Sequence, residues 1–159
     1  MATLRRMAAA GLVRGTEGNI SARAGELVAV SPTSLPYDTL RPEDVSLVTP
    51  EGELVEGREP SVELPMHLAV LSARPDVGAV VHTHSPHATA RPSVPVAEGA
   101  SGTAELGQAV VAAAGDVDAV VMLGHGPVCF GPDLAVAFER AVALEEAARR
   151  YRSGSEPSR

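Results

Sequence analysis

Lysine is absent from this 159-residue chain: the 13 basic residues are all arginine, set against 20 acidic ones. Without lysine there is no Schiff base to a carbonyl substrate or to pyridoxal phosphate, and no Walker A phosphate loop. Electrophilic help to a substrate must then come from arginine, backbone N–H, histidine or a metal. Tryptophan is absent too, with only two phenylalanines and two tyrosines. The apolar fraction of 45% rests largely on alanine and valine, so close packing must replace side-chain bulk in the core. A single cysteine, Cys129, excludes an intrachain disulfide and a cysteine-rich zinc motif, and fits a reducing, cytoplasmic setting. No uncharged apolar run approaches the roughly 18–20 residues that span a bilayer. Residues 1–13 have the outline of a signal peptide, but the apolar part is short and ends at Arg14 with no clear cleavage segment. The net charge of −7 argues against nucleic acid and against an anionic membrane face as partners. A small anionic substrate is compatible with it, because the charge of a pocket is local.

What is present reads as one domain over residues 1–152 followed by a disordered tail at 153–159. An Ala-rich helix over 2–13 is broken by Gly15 and Gly18. Strands are expected at Ile20–Arg23, Glu26–Val30 and Val45–Thr49, with Ala24-Gly25 as a hairpin connection and 51–60 as a polar connector. The spacing predicts a helix from Ser61, as N-cap, to Arg74, with an apolar stripe of Leu64, Leu68 and Leu71. A buried strand Val77–Val81 runs on into His82-Thr83-His84, and a short helix covers His87–Ala90. A helix capped by Thr103 ends at Gly115, and strands follow at Ala119–Leu123 and Pro127–Phe130. A last helix, capped by Asp133, carries a stripe through Leu134, Phe138, Ala141, Leu144, Ala148 and Tyr151. Helices alternating with buried strands indicate a layered α/β domain.

The chemistry concentrates at two strand ends. His82 and His84 lie two apart on an extended segment, so both imidazoles face the same way. His125, flanked by Gly124 and Gly126, ends the other buried strand. Three histidines from two strand ends match the ligand set of an open catalytic zinc site, whose free positions take water or substrate oxygens. The alternative is that they are ordinary polar residues at strand ends. Glu63 is the candidate for proton transfer beside such a metal; the alternative is a first-turn acid that complements the helix dipole. His67, four residues on, shares its helical face and could orient that carboxylate, but it is read here as a surface or interface polar residue. The loops Gly15–Asn19 and Ser31–Ser34 are rich in small donors that suit a phosphate, and turn chemistry accounts for them equally.

Together these segments resemble the class II aldolase/adducin family. The resemblance rests on residues 11–23 (GLVRGTEGNISAR), 31–37 (SPTSLPY), Arg41-Pro-Glu-Asp-Val45 and Pro60-Ser-Val-Glu63. It continues in residues 73–90 (ARPDVGAVVHTHSPHATA), Gly124-His-Gly126, Gly131 and the helix around Leu144-Glu-Glu-Ala-Ala148. It implies a three-layer α/β/α fold around a central mixed, largely antiparallel sheet, usually as a homotetramer with sites near subunit boundaries. It implies Zn2+, or another divalent metal, on His82, His84 and His125, with Glu63 as catalytic acid/base. It places Gly18, Asn19, Thr33 and Ser61 in a phosphate pocket, with Ser34 beside them. The implied reaction is reversible retro-aldol cleavage of a small sugar or sugar phosphate through a metal-stabilised enediolate. Epimerase, decarboxylase and dehydratase chemistry on the same fold, or a non-catalytic adducin-like binding module, are the alternatives.

Four departures stand out. The family's Ser-Ser-Glu is Ser61-Val62-Glu63, its Thr-Gly is Thr33-Ser34, and the opening helix is short. Only thirteen residues separate Ala90 from Ala104, where the family has several times more, including a strand and often a functional tyrosine. The changed phosphate loop mildly favours a non-phosphorylated substrate.

Overall fold

A computed structural model describes residues 1–90 and 93–152; the expected tail 153–159 lies outside the described residues. Among the described residues eight strands form one sheet in the order β4-β3-β2-β1-β5-β8-β7-β6. They are β1 (Asn19–Ala24), β2 (Leu27–Val30), β3 (Ser46–Val48), β4 (Leu54–Glu56), β5 (Ala79–His82), β6 (Val96–Ala97), β7 (Ala119–Met122) and β8 (Gly126–Gly131). Every neighbouring pair is antiparallel except β6 with β7, so the sheet is mixed and largely antiparallel, as expected.

The β1–β2 hairpin pairs Ala24 with Leu27, which leaves Gly25-Glu26 as its two-residue turn, one position beyond the expected connection. Gly25 takes φ +63, the positive value that tight hairpins need at their first central residue. Two expected irregular segments contain strands. β4 lies inside the 51–60 connector; its three residues are all exposed, so no hydrophobic alternation announces it. β6 lies inside the short Ala90–Ala104 connection and closes the sheet edge against β7.

Among the described residues five α-helices cover the two faces: α1 (Ala2–Ala9), α2 (Leu64–Ala73), α3 (Pro86–Ala90), α4 (Ala104–Ala114) and α5 (Leu134–Arg152). Alternation along the strands separates two cores. Val80, Val120, Val128 and Phe130 point to one face and pack with Met66, Val70, Leu106 and Val110 of α2 and α4. Val81 and Cys129 point to the other, with Leu4, Met7, Ala88, Phe138 and Ala141 of α1, α3 and α5. The result is the expected three-layer α/β/α arrangement. Burial pushes the Cys129 thiol up to about 12, so it serves as a small core residue.

The caps at the two expected positions form: Thr103 Oγ1 accepts the Leu106 N–H at 3.2 Å, and Asp133 Oδ1 accepts that of Val136 at 2.9 Å. Each such cap is worth about 1 kcal/mol. Helix α2 departs from expectation. Its cap position is Glu63, not Ser61; Ser61 instead opens a preceding turn by accepting the Glu63 N–H on its hydroxyl. Its buried stripe is Met66, His67, Val70 and Leu71, with Leu64 and Leu68 only partly buried. A helix apolar on most sides offers several stripes, and packing against α4 selects among them. On α5 the stripe runs as expected to Ala148, but Tyr151 is exposed.

Candidate metal centre

The centre strands β1, β5 and β8 bring their functional residues to one end of the sheet. Asn19 opens β1 directly opposite His82, the last residue of β5, and His82 in turn faces Val128 of β8. His84 follows just beyond the ladder, and His125 sits in the three-residue β7–β8 turn. Gly126 makes this approach feasible: a Cβ there would lie 2.0 Å from the Thr83 carbonyl oxygen and 3.3 Å from His82 Cε1. Any side chain would therefore push the two strand ends apart.

The rings of His82, His84 and His125 stand at the corners of a nearly equilateral triangle, with centroids 4.9, 4.8 and 4.8 Å apart. One nitrogen from each lies within 4.8 Å of the other two. Three bonds of about 2.1 Å to one ion need nitrogens closer together than that, so holding an ion asks the half-buried His84 and His125 rings to move inward. His82 is fully buried and fixed. Its Nδ1 lies 3.0 Å from the Pro127 carbonyl oxygen, which can only accept; Nδ1 therefore carries the proton. Nε2 is then a bare lone pair, and it is buried with no hydrogen-bond partner. It faces Glu63 Oε2 at 3.1 Å, a second acceptor. Two lone pairs at that separation repel unless a cation or proton lies between them. Burial drives the His82 pKa down to about 3 and also lowers that of His84, so both present the neutral form that ligates a metal. The orphaned Nε2 and the neutral imidazoles together fit a divalent cation, with the Pro127 carbonyl supplying the outer contact that metal-bound histidines require.

Glu63 sits at the head of α2 and is almost fully buried. Its Oε2 accepts from Asn19 Nδ2 at 3.0 Å and its Oε1 from Ser101 Oγ at 2.9 Å, while His125 Nε2 stands 3.5 Å from Oε1. Burial opposes ionisation, but the two donors, Asn19 Nδ2 and Ser101 Oγ, favour the charged form, and the carboxyl is held below its usual range. Beside this group opens a cleft of about 260 Å3, lined by all five residues expected around a phosphate: Gly18, Asn19, Thr33, Ser34 and Ser61. Gly18 takes φ +72, and a Cβ there would meet Val13 Cγ1 at 2.6 Å and the His82 carbonyl at 2.7 Å. Tyr37 pins that loop by donating to the Glu17 and Gly18 carbonyls at 2.5 and 2.6 Å. Ser34 holds φ +54, the one non-glycine residue with positive φ among those described; the family's pattern places glycine there.

Sequence reasoning missed two participants. Ser101, from the turn before α4, carries no signal in one dimension; the fold alone lays it against Glu63. His67 was expected as a surface or interface polar residue and is fully buried, its ring lying against Asn19 and Ser21 of β1. His87 is absent from the centre: it meets Glu145, whose carboxylate also accepts the backbone N–H groups of His87 and Ala88 and so caps α3.

The chain is similar to known proteins over most of its length. A model of the Class II Aldolase and Adducin N-terminal domain matches residues 1–93 and 90–152, and its two pieces join at the short connection after Ala90. The chain is 38% identical over 167 residues to the 5-methylthioribulose-1-phosphate/5-deoxyribulose-1-phosphate aldolase of Rhodospirillum rubrum, covering 92% of this chain and 76% of that one. It is 34% identical over 173 residues to the L-ribulose-5-phosphate 4-epimerase of Salmonella paratyphi B, covering 87% and 76%. A solved L-fuculose 1-phosphate aldolase superposes with a TM-score of 0.90 at 27% identity, over 97% of this chain and 84% of that one.

Proposed function

The chain belongs to the class II aldolase and adducin family, and on that footing we propose that it is a metal-dependent class II aldolase, a carbon–carbon lyase that cleaves a small sugar phosphate reversibly. The observation that carries this reading is the unpartnered His82 Nε2 beside Glu63, completed by His84 and His125. A cation held by those three histidines, zinc in this reading, supplies the Lewis acid that polarises the substrate carbonyl.

The chain's own groups do the rest. Glu63 moves the proton: in cleavage its carboxylate takes the proton that the substrate hydroxyl releases as the carbon–carbon bond breaks and returns it to the carbon beside the carbonyl, and in the synthetic direction both transfers run in reverse. Asn19 and Ser101 hold both oxygens of that carboxylate and keep it turned to the cleft. Gly18, Asn19, Thr33, Ser34 and Ser61 receive the phosphate through hydroxyl, amide and backbone donors, with no lysine required. The named substrates of the relatives, all sugar phosphates, favour a phosphorylated substrate over the neutral one that the altered loop hints at. Residues 1–152 act as one domain in this reading. The exposed apolar side chains of Val62, beside Glu63, and Leu123, in the turn that carries His125, support a neighbouring subunit near the cleft; the reading is a homotetramer, placed in the cytoplasm.

Incubation of the metal-loaded protein with a panel of ketose 1-phosphates tests the reading. Cleavage between C3 and C4 yields dihydroxyacetone phosphate and an aldehyde, and a chelator stops it. The epimerase relative supports a second reading, in which a pentulose 5-phosphate is inverted at C4 with no net cleavage. Product analysis separates the two; bound metal with no turnover on any panel member contradicts both and favours the adducin-like binding module.

A further inference from the structure

His67 is a buried titratable side chain that the reaction as described leaves unused. It sits on α2 with no exposed surface, and both ring nitrogens are engaged. Nδ1 lies 2.8 Å from Ser21 Oγ and Nε2 lies 2.5 Å from Asn19 Oδ1. Asn19 and Ser21 are two apart on β1, so they present side chains to the same face and grip the imidazole at both edges. The other end of the Asn19 amide meets Glu63 Oε2.

The polarity of this chain of bonds is dictated from the Glu63 end. An ionised carboxylate can only accept, so the NH2 of Asn19 must face it. Asn19 Oδ1 then faces His67, whose Nε2 must carry the proton. Nδ1 is left bare and accepts from the Ser21 hydroxyl. Each group has one consistent role, and burial keeps the imidazole neutral, its pKa lowered to about 4. Remove the imidazole and the Asn19 amide loses the donor that resists its rotation; once turned, it would set Oδ1 against the carboxylate.

We propose that His67 is a positioning residue for Glu63, acting through Asn19: its Nε2–H locks the Asn19 amide so that the NH2 aims Glu63 at the histidine triad. The proposal rests on the aldolase reading for its kinetic consequences, but not for its structural ones.

Two measurements test it. In metal-loaded protein labelled at the histidine nitrogens, NMR at neutral pH should find His67 with Nε2 protonated and Nδ1 bare. A proton on Nδ1 would overturn the proposal whatever the enzyme's activity. Kinetically, His67→Leu should lower kcat roughly 10–100-fold, the range for outer-shell groups, with unchanged bound metal and a much smaller change in KM. His67→Gln, which can still donate to Asn19 and accept from Ser21, should restore most of the loss. In an Asn19→Ala background, His67→Leu should cost nothing further. An undiminished kcat in His67→Leu, an equal loss in the Asn19→Ala background, or no recovery in a folded His67→Gln protein would each contradict it. Absence of aldol turnover in the wild type would count against the aldolase reading alone, since the tautomer measurement stands without it.

Discussion

His82 Nε2 and Glu63 Oε2 face each other at 3.1 Å in a buried site without a hydrogen bond between them. The Pro127 carbonyl takes the one proton of the neutral ring, so the opposed atoms are both acceptors. That relationship separates a metal centre from a cluster of polar side chains. A structural cluster would pair its members, and this one leaves a fully buried nitrogen bare and aimed at a carboxylate oxygen.

Glu63→Gln keeps the shape of the side chain, and its NH2 can face Ser101 Oγ, whose hydroxyl turns to accept it, but the side chain can no longer take up a proton as a carboxylate does. Loss of a positioned acid/base costs about 10^2–10^4 in rate. Steady-state kinetics should show kcat reduced by at least about 100-fold, while metal analysis shows the ion retained. A variant with full turnover would remove Glu63 from the chemistry.

Gly126→Ala tests whether backbone proximity builds the centre. The added methyl meets the Thr83 carbonyl oxygen at 2.0 Å, a contact that only strand displacement relieves. Denaturant unfolding should show a loss of about 1–3 kcal/mol, the range for overpacking, and calorimetric titration should show weaker metal binding because His125 moves away from His82. Wild-type affinity in this variant would show that the turn tolerates the shift.

His67 gives stability a pH dependence of defined sign. Its pKa is near 6.5 when unfolded and is lowered to about 4 in the fold, by burial. Between these values the unfolded chain binds more protons, so stability is full above about pH 6.5 and falls as the pH drops toward 4, at up to about 1.4 kcal/mol per pH unit. Unfolding free energies at pH 7.5 and pH 5 should therefore differ less in His67→Gln than in wild type, by about 2 kcal/mol. The contribution of His82, which burial holds neutral down to about 3, is common to both proteins. Equal pH dependence would show that His67 is not the buried neutral group seen here.

Much of this architecture was legible in the sequence because local chemistry announced it. The triad followed from the two-residue spacing of His82 and His84 and from the glycines around His125. Thr103 and Asp133 marked their helices by side-chain caps. What escaped notice depends on tertiary approach. β4 is wholly exposed and β6 is two residues long, so neither shows a period. Helix α2 is apolar on most sides, which hid both its true buried stripe and the depth of His67. Ser101 reaches Glu63 only because the turn before α4 packs against the Val62 backbone, where Gly102 leaves room: a Cβ there would stand 3.0 Å from the Val62 carbonyl oxygen. The Ala90–Ala104 connection, the largest departure from the family's pattern, still supplies an edge strand and a hydroxyl to the centre.

The most direct test is elemental analysis of the purified protein, wild type beside His82→Ala plus His84→Ala, paired with the ketose 1-phosphate cleavage rate of each. The account predicts about one divalent ion per wild-type chain, and both the ion and the activity lost in the double variant. A wild type that cleaves at full rate without bound metal, or a double variant that keeps its full complement of ion, would contradict it.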